Sequence, residues 1–506
     1  MSYLNISDLE YLKLTGWQKF SYHFLMFFVG IGRFFKRLGI KIGRGCVKIY
    51  RKTVDEFKFI GSSLIKGSWK TRVSFIILGF GNLMRGQWLK FLLFFAFEVI
   101  FIFYMIFYGG YWLGKFSTLG TLAPVEQYDP ILDQFTTVYY DDSFKILLYG
   151  LLTILFIVAF VVTWGINIHQ CALLDQIERE GKKVKSNKDD LRSLVDDQFH
   201  KTLLALPVLG ILFFTVMPII FMILVAFTNY DVSHDGHQNL FTWVGFDNFN
   251  SLLSFGGSNF LATFGEVLAW TLIWAFFATF TNYFLGMFVA MLINKKGIKL
   301  KKLWRGILVL TIAVPQFISL LYVSKLFSIN GIVNGIITSL GGTAVDFWGT
   351  TWIARVMVIV INIWIGIPYL MLICTGVLMN IPKDLYESAK IDGASGFQQY
   401  AKITLPYMLF VTGPYLLTQF IGNINNFNVI YLLTGGAPNK LNGIINGTAT
   451  GDTDLLITWL FNLVTGSNPS YYTASIIGIL IFIVVSILSL IVYNAMPSTK
   501  NEEDFA

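Results

Sequence analysis

Three carboxamides, Gln419, Asn423 and Asn426, stand at i, i+4 and i+7 in an otherwise apolar stretch, PYLLTQFIGNINNFNVIYLLTGGAPN, with Asn425 beside them. That spacing places the three on one face of a helix. Each amide offers a carbonyl acceptor and two N–H donors and carries no charge, which matches the hydroxyl groups of an uncharged ligand such as a sugar. Amides within hydrocarbon are costly unless they pair, so the strip equally fits an alternative in which these side chains only join helices.

A second stretch, NIWIGIPYLM, combines Gly366, which lets another group approach closely, with Pro368, which removes a backbone donor, and with the aromatic surfaces of Trp364 and Tyr369. Helices broken near the midplane of a bilayer often form transport sites, and Pro368 as a simple kink is the plainer alternative.

Other chemistry is sparse. GSWKT at 67–71 lacks the first glycine and the Gly-Lys pair of a phosphate loop, so any ATP used is hydrolysed by another chain. His234 and His237 share a loop without an HExxH, a His/Cys cluster or a GxSxG elbow, and neither a catalytic residue nor a metal site is expected. Cys46, Cys171 and Cys374 have no CxxC or metal-ligand spacing. Glu98 lies near the middle of an apolar run and Glu266 at or near another, where an ionisable group is a functional candidate. Glu98 has no basic partner in its own stretch to make a proton relay.

The elements that position these residues follow from composition. The chain has 506 residues, 55% hydrophobic and 13% charged, a balance that fits a polytopic membrane protein and no ordinary soluble domain. A span needs roughly 20 apolar residues, and eight such runs fall near 91–112, 144–168, 202–227, 267–293, 307–328, 352–379, 407–433 and 474–494. Basic side chains gather in residues 1–90, in 169–201 and in KKGIKLKKLWR, whereas 113–143 is acidic and 228–266 has no Lys or Arg. Inward loops retain positive charge, so both termini are expected in the cytoplasm. The net charge of +8 then reflects anionic membrane lipid rather than nucleic acid. Residues 17–60, as in FFKRLGIKIGRGCVKIYRK, are expected to lie along the headgroups as interfacial helices. The apolar run at 24–31 is soon interrupted by Arg33, Lys36 and Arg37 and has no small-residue cleavage site, so no removable signal peptide is expected.

Between the sixth and seventh runs lies a polar hairpin, ESAKIDGASGFQQYAKITLP, on the expected cytoplasmic side. Pro382 suits a first helical turn, KDLYESAKI supplies the helix, and Asp392-Gly393 can turn the chain into a second one. The pattern resembles the EAA loop of ATP-binding-cassette importer permeases, with Glu387, Ser388, Ala389, Gly393, Ile403, Leu405 and Pro406 on the motif positions and Ser388 in place of the usual alanine. AFTNYD, WVGFDNFNSLL, LLTGGAPN and TDLLITWLF also look like sugar-permease segments, so the resemblance covers roughly 202–494 and points to the larger permease subunit of maltose/maltodextrin importers.

That resemblance implies a type I importer permease fold, all-α with about eight transmembrane helices and a cytoplasmic EAA coupling helix. It places sugar contacts on Ile365, Gly366, Tyr369, Gln419, Gly422, Asn423 and Asn426, and ATPase coupling on the seven motif residues. Gln419 and Gly422 depart from the Ser and Phe of the best-known maltose version, and loop 228–266 is far shorter than the external domain of enteric relatives.

The implied partners are a second homologous permease, a cytoplasmic ATPase dimer, an extracellular sugar-binding protein, an oligosaccharide and membrane lipid. ATP and Mg belong to the ATPases, and this chain is expected to hold no cofactor. The expected domains are a basic cytoplasmic region 1–90, two accessory spans with their loop 91–201, a core permease 202–494 with EAA loop 384–406, and a tail 495–506. The expected location is the plasma membrane of a bacterium without an outer membrane. Permeases for a cyclodextrin or galacto-oligosaccharide, and an ion-coupled secondary carrier, are the alternatives.

Overall fold

The computed structural model describes residues 15–138, 140–237, 240–254, 259–295, 297–445 and 447–495. Residues 1–14 of the expected basic region and all but the first residue of the expected tail lie outside the described residues. In chain order, a 51-residue helix α1 (Gly16–Lys66) is followed by α2 (Trp88–Phe116), α3 (Ser143–Arg179), α4 (Phe199–Val225) and α5 (Phe260–Asn294). Then come α6 (Lys301–Ala313), α7 (Gln316–Leu326), α8 (Thr351–Met379), α9 (Lys383–Ile391), α10 (Leu405–Ile424), α11 (Phe427–Leu433), α12 (Leu456–Thr465) and α13 (Tyr471–Ala495). The antiparallel hairpins β1–β2 (Val125–Asp129, Gln134–Val138) and β3–β4 (Asn439–Ile445, Thr448–Gly451) are minor additions to a helical chain.

Among the described residues six helices are long and apolar enough to cross a membrane, namely α2, α3, α4, α5, α8 and α13. Counting the bent pair α6–α7 as one span makes seven, against the eight expected. The expected span 307–328 turns by 86° between α6 and α7. Val314 precedes Pro315 and is extended, with ψ 124°, because the proline ring crowds the helical conformation of its predecessor. The expected span 407–433 is also interrupted: α10 ends at Ile424 and α11 starts at Phe427. With Pro406, Pro414, Gln419 and Asn423 in its 20 residues, α10 is not among the six.

The chain divides into two compact units, Met1–Phe221 and Met222–Ala506. In the first, α2 and α3 pack through aromatic rings: Phe101 stacks on Phe160 at 3.9 Å and Phe97 meets Phe156 edge-on at 5.7 Å. The segment before α2 folds onto α3. The Ser68 N–H and the Thr71 hydroxyl donate to Asp175, each at 2.8 Å, and the fully buried Arg85 side chain pairs with Asp175 and, at 3.1 Å, with Glu178. Glu98 accepts the Leu78 N–H at 2.9 Å, which gives this carboxylate a structural role. Removing one member of a buried ion pair strands the other, so Arg85→Ala is expected to destabilise the first unit by about 3–5 kcal/mol. A lowered midpoint for Arg85→Ala in a thermal unfolding assay checks this, and an unchanged one would contradict it.

In the second unit α5 is the central helix, with 44% of its most apolar window buried, more than any other span. Small residues let α8 approach it: a Cβ on Gly286 would stand 2.7 Å from that of Leu370. One apolar cluster joins Phe260, Trp459 and Ile477, and another joins Trp270, Trp274, Val358 and Ile430. Hairpin β3–β4 is tied to the start of α5 and α8, with Lys440 Nζ 2.6 Å from Glu266 and 3.5 Å from Asp452, which also accepts the Thr351 hydroxyl at 2.6 Å. Glu266 is thus one anchor of this hairpin.

Just before α12, burial pushes the Asp454 carboxyl up to about 6, against the opposing pull of the Gly451 N–H and the Thr458 hydroxyl. Because this lies above the usual 3.8, protonation favours the folded chain. The gain is complete below 3.8 and is lost as pH rises through about 6. Asp454→Asn should therefore unfold at a higher temperature than the parent chain at pH 7.5, with the difference shrinking toward pH 5. A pH-independent difference would contradict this assignment.

Candidate functional site

Two interruptions of regular helix and one helical proline lie around one cavity of the second unit. The interruptions are the elbow at Pro315 and the break at Asn425 and Asn426 between α10 and α11, and the proline is Pro368 inside the unbroken α8. Interrupted helices leave backbone and polar groups free to face a ligand. The cavity holds about 160 Å³, less than the roughly 300–1,000 Å³ that envelops a whole small molecule. Six of the seven sequence-expected sugar contacts line it, namely Ile365, Gly366, Tyr369, Gln419, Asn423 and Asn426. Gly422, which has no side chain to reach it, does not, nor does Trp364, which falls on another face of α8.

Polar residues that sequence reasoning missed complete the wall: Thr279 and Asn282 from α5, Gln316 at the elbow, and Asn362 from α8. Asn282 and Asn362 are 5% and 6% exposed, yet the Asn282 Oδ1 and the Asn362 Nδ2 have no partner in the protein. One is an acceptor and the other a donor. A hydroxyl group can serve both, and a buried orphan of either kind otherwise costs about 1–3 kcal/mol. The signal was present as isolated amides in apolar helices, but which face they share depends on how α5 packs on α8. That contact is close: a Cβ on Gly366 would meet Asn282 Nδ2 at 2.4 Å.

The α10 amides have structural bonds as well. Asn423 Nδ2 donates to Thr279 Oγ1 at 3.0 Å, and Trp274 Nε1 donates to the Asn423 carbonyl at 3.1 Å. Asn426 Nδ2 donates to Asn423 Oδ1 at 3.2 Å, while Asn426 Oδ1 accepts the Val429 N–H and caps α11. The strip therefore holds the helix break in place and still presents amide atoms to the cavity. No charged side chain lines it.

The polar hairpin forms the expected short helix, α9. Its end has the two crossed bonds of a glycine-terminated helix: the Ala394 N–H donates to the Ala389 carbonyl at 2.8 Å and the Gly393 N–H to that of Lys390 at 3.0 Å. Gly393 has φ +77°, a conformation that penalises any side chain. Glu387, Ser388, Gly393 and Pro406 are exposed, and Ala389, Ile403 and Leu405 are half-buried. The apolar side chains of Leu385, Ile391 and Phe397 are also exposed. A hydrogen bond of 2.8 Å between the Tyr386 and Thr404 hydroxyls ties α9 to the turn that enters α10. On the far side of this unit, His234 is engaged by Asp231 at 2.7 Å.

A sequence profile described as "Binding-protein-dependent transport system inner membrane component" matches residues 282–498. The chain is similar to the maltodextrin transport system permease protein MdxF of Bacillus subtilis, with 33% identity over 87% of this chain and 98% of the relative. It is 31% identical to the maltodextrin permease MalC of Streptococcus pneumoniae serotype 4 over 85% of this chain and 96% of that one. The galactooligosaccharides permease GanP of Bacillus subtilis is 32% identical over 84% and 97%.

Proposed function

We propose, from the premise that this chain belongs to the family of membrane-spanning permease subunits of binding-protein-dependent ATP-binding-cassette sugar importers, that it carries maltodextrin-type oligosaccharides. As a permease subunit it is not itself an enzyme. The observation that carries the substrate assignment is the polar part of the cavity wall: amides, a threonine and a tyrosine set among apolar residues, with no charge. Such a wall pairs with hydroxyls and has no cation to neutralise an acidic sugar.

The relatives' names give the saccharide class. MdxF and MalC are maltodextrin permeases, and GanP makes a galacto-oligosaccharide the second reading. Ile365, Gly366, Tyr369, Gln419, Asn423 and Asn426 contact the sugar together with Asn282 and Asn362, and the small volume calls for a second homologous permease to supply the rest of the site. Gly422, off the cavity, is retained only as a spacer in the strip.

Both termini face the cytoplasm of a bacterium without an outer membrane, and an extracellular binding protein delivers the sugar. Glu387, Ser388, Ala389, Gly393, Ile403, Leu405 and Pro406 form the docking lever for two cytoplasmic ATPases, which hold ATP and Mg. Closure of the ATPases opens the cavity outward, and hydrolysis returns it inward. In proteoliposomes holding the whole complex, labelled maltotetraose should accumulate with ATP, and an oligouronate of the same length should not. Equal uptake of the uronate would contradict the uncharged-ligand reading.

A further inference from the structure

We propose that the groove between α1 and the inner end of α3 binds the phosphate headgroup of an anionic phospholipid. The groove encloses about 900 Å³ and is lined by Arg44, Lys48, Arg51 and Lys52 of α1, with His169 of α3 opposite. Positions 44, 48, 51 and 52 follow the helical repeat, so the four cations share one face. All four are exposed, and among the described residues none has a carboxylate oxygen within 4.0 Å. Two carboxylates, Asp55 and Glu56, line the same groove, so four cations stand against two anions. Glu56 is turned to His169 Nδ1 at 3.8 Å, which leaves the cationic end open.

The rest of the lining suits a lipid better than a free anion. Ile40, Val47 and Phe59 supply apolar wall beside the cations, and Phe59 packs on the His169 ring at 4.4 Å. Elsewhere around α1, Ile49, Tyr50 and Phe57 are 68–71% exposed. A helix with one basic and one apolar face settles at a membrane surface, and clusters of four or more Lys/Arg beside a span select anionic headgroups. Arginine forks match phosphate oxygens in pairs, while the lysines add point charge. The inference rests on the cytoplasmic placement of residues 1–90 given above.

The test uses the full chain, purified folded and titrated with phosphatidylglycerol or phosphatidylcholine under native mass spectrometry. Phosphatidylglycerol should bind at least about tenfold tighter, and Arg44→Gln/Lys48→Gln/Arg51→Gln/Lys52→Gln should lose about tenfold or more of that affinity. Lys182→Gln/Lys183→Gln, beyond α3, should change it little. If the fourfold variant does not fold, the pair Lys48→Gln/Lys52→Gln should show a smaller loss of the same sign. Equal binding of the two lipids, an unaffected variant, or full displacement by millimolar inorganic phosphate would each overturn the proposal, the last by making the groove a free-anion site. Cys46 on α1 is exposed, whereas Cys171 and Cys374 are buried. An impermeant maleimide should therefore label the chain in inverted vesicles and not in right-side-out ones. The opposite pattern would overturn the orientation, and the expected pattern without lipid selectivity would overturn the lipid site alone.

Discussion

Gly393→Val or Gly393→Trp is expected to lower sugar uptake at least tenfold while the complex still assembles and hydrolyses ATP. Gly393 sits at φ +77° at the end of α9, where a side chain costs roughly 1–2 kcal/mol and a β-branched one more. A Cβ there would meet open space, so the damage is to the backbone path that sets the direction of α9, not to packing. The exposed Leu385, Ile391 and Phe397 flank that turn. The Tyr386–Thr404 bond joins α9 to the base of α10, so in the proposed coupling a tilted α9 would reach the cavity through one helix. Paired assays of ATP hydrolysis and labelled-sugar accumulation in proteoliposomes decide the matter. Hydrolysis within about twofold of the parent, with uptake down at least tenfold, is the expected result, and unimpaired uptake by Gly393→Trp would sink the coupling account.

Asn362→Leu should leave the chain as stable as its parent, or more stable, while raising the KM for uptake about tenfold or more. The two effects separate function from structure. An amide that only joins helices loses stability when it is removed, whereas Asn362 Nδ2 has no partner in the protein and is 6% exposed at the residue level. Removing an unsatisfied buried donor relieves about 1–3 kcal/mol of desolvation cost, and losing one hydrogen bond to a sugar hydroxyl costs about 1 kcal/mol or somewhat more. Asn423→Ala should behave differently. It breaks the bond to Thr279 and the support of Asn426, so both stability and uptake should fall. A drop in thermal stability for Asn362→Leu with unchanged uptake would return that residue to a structural role.

The contrast between those two asparagines marks what the sequence could tell. Gln419, Asn423 and Asn426 were legible because three amides on one helical repeat are a local pattern. Asn282 and Asn362 were not, because neither belongs to a run of amides on one helical repeat and only the packing of α5 on α8 brings them together. Gly422 was expected at the site only through the resemblance; it shares the helical repeat of Gln419 and Asn426 but has no side chain to reach the cavity.

The span count exceeded what the described residues support for a related reason: mean apolarity hides interruptions. Val314-Pro315 did carry a local signal for the elbow, since a proline pushes its predecessor toward extended backbone. The end of α10 at Ile424 carried less, because Asn426 becomes a cap only once the chain has left the helix. The hairpin at 384–406 was the most legible element of all, its glycine turn being set by local backbone rules, although Pro382 stands just before α9 rather than in its first turn.

The most direct test of the central claim is accumulation of labelled maltotetraose in cells deleted for this chain, with and without its restoration. The account predicts that uptake disappears on deletion, returns with the parent chain, and returns only at higher sugar concentration with Asn362→Leu. Maltotetraose uptake unchanged by deletion, or a deletion defect confined to a galacto-oligosaccharide, would contradict the maltodextrin assignment.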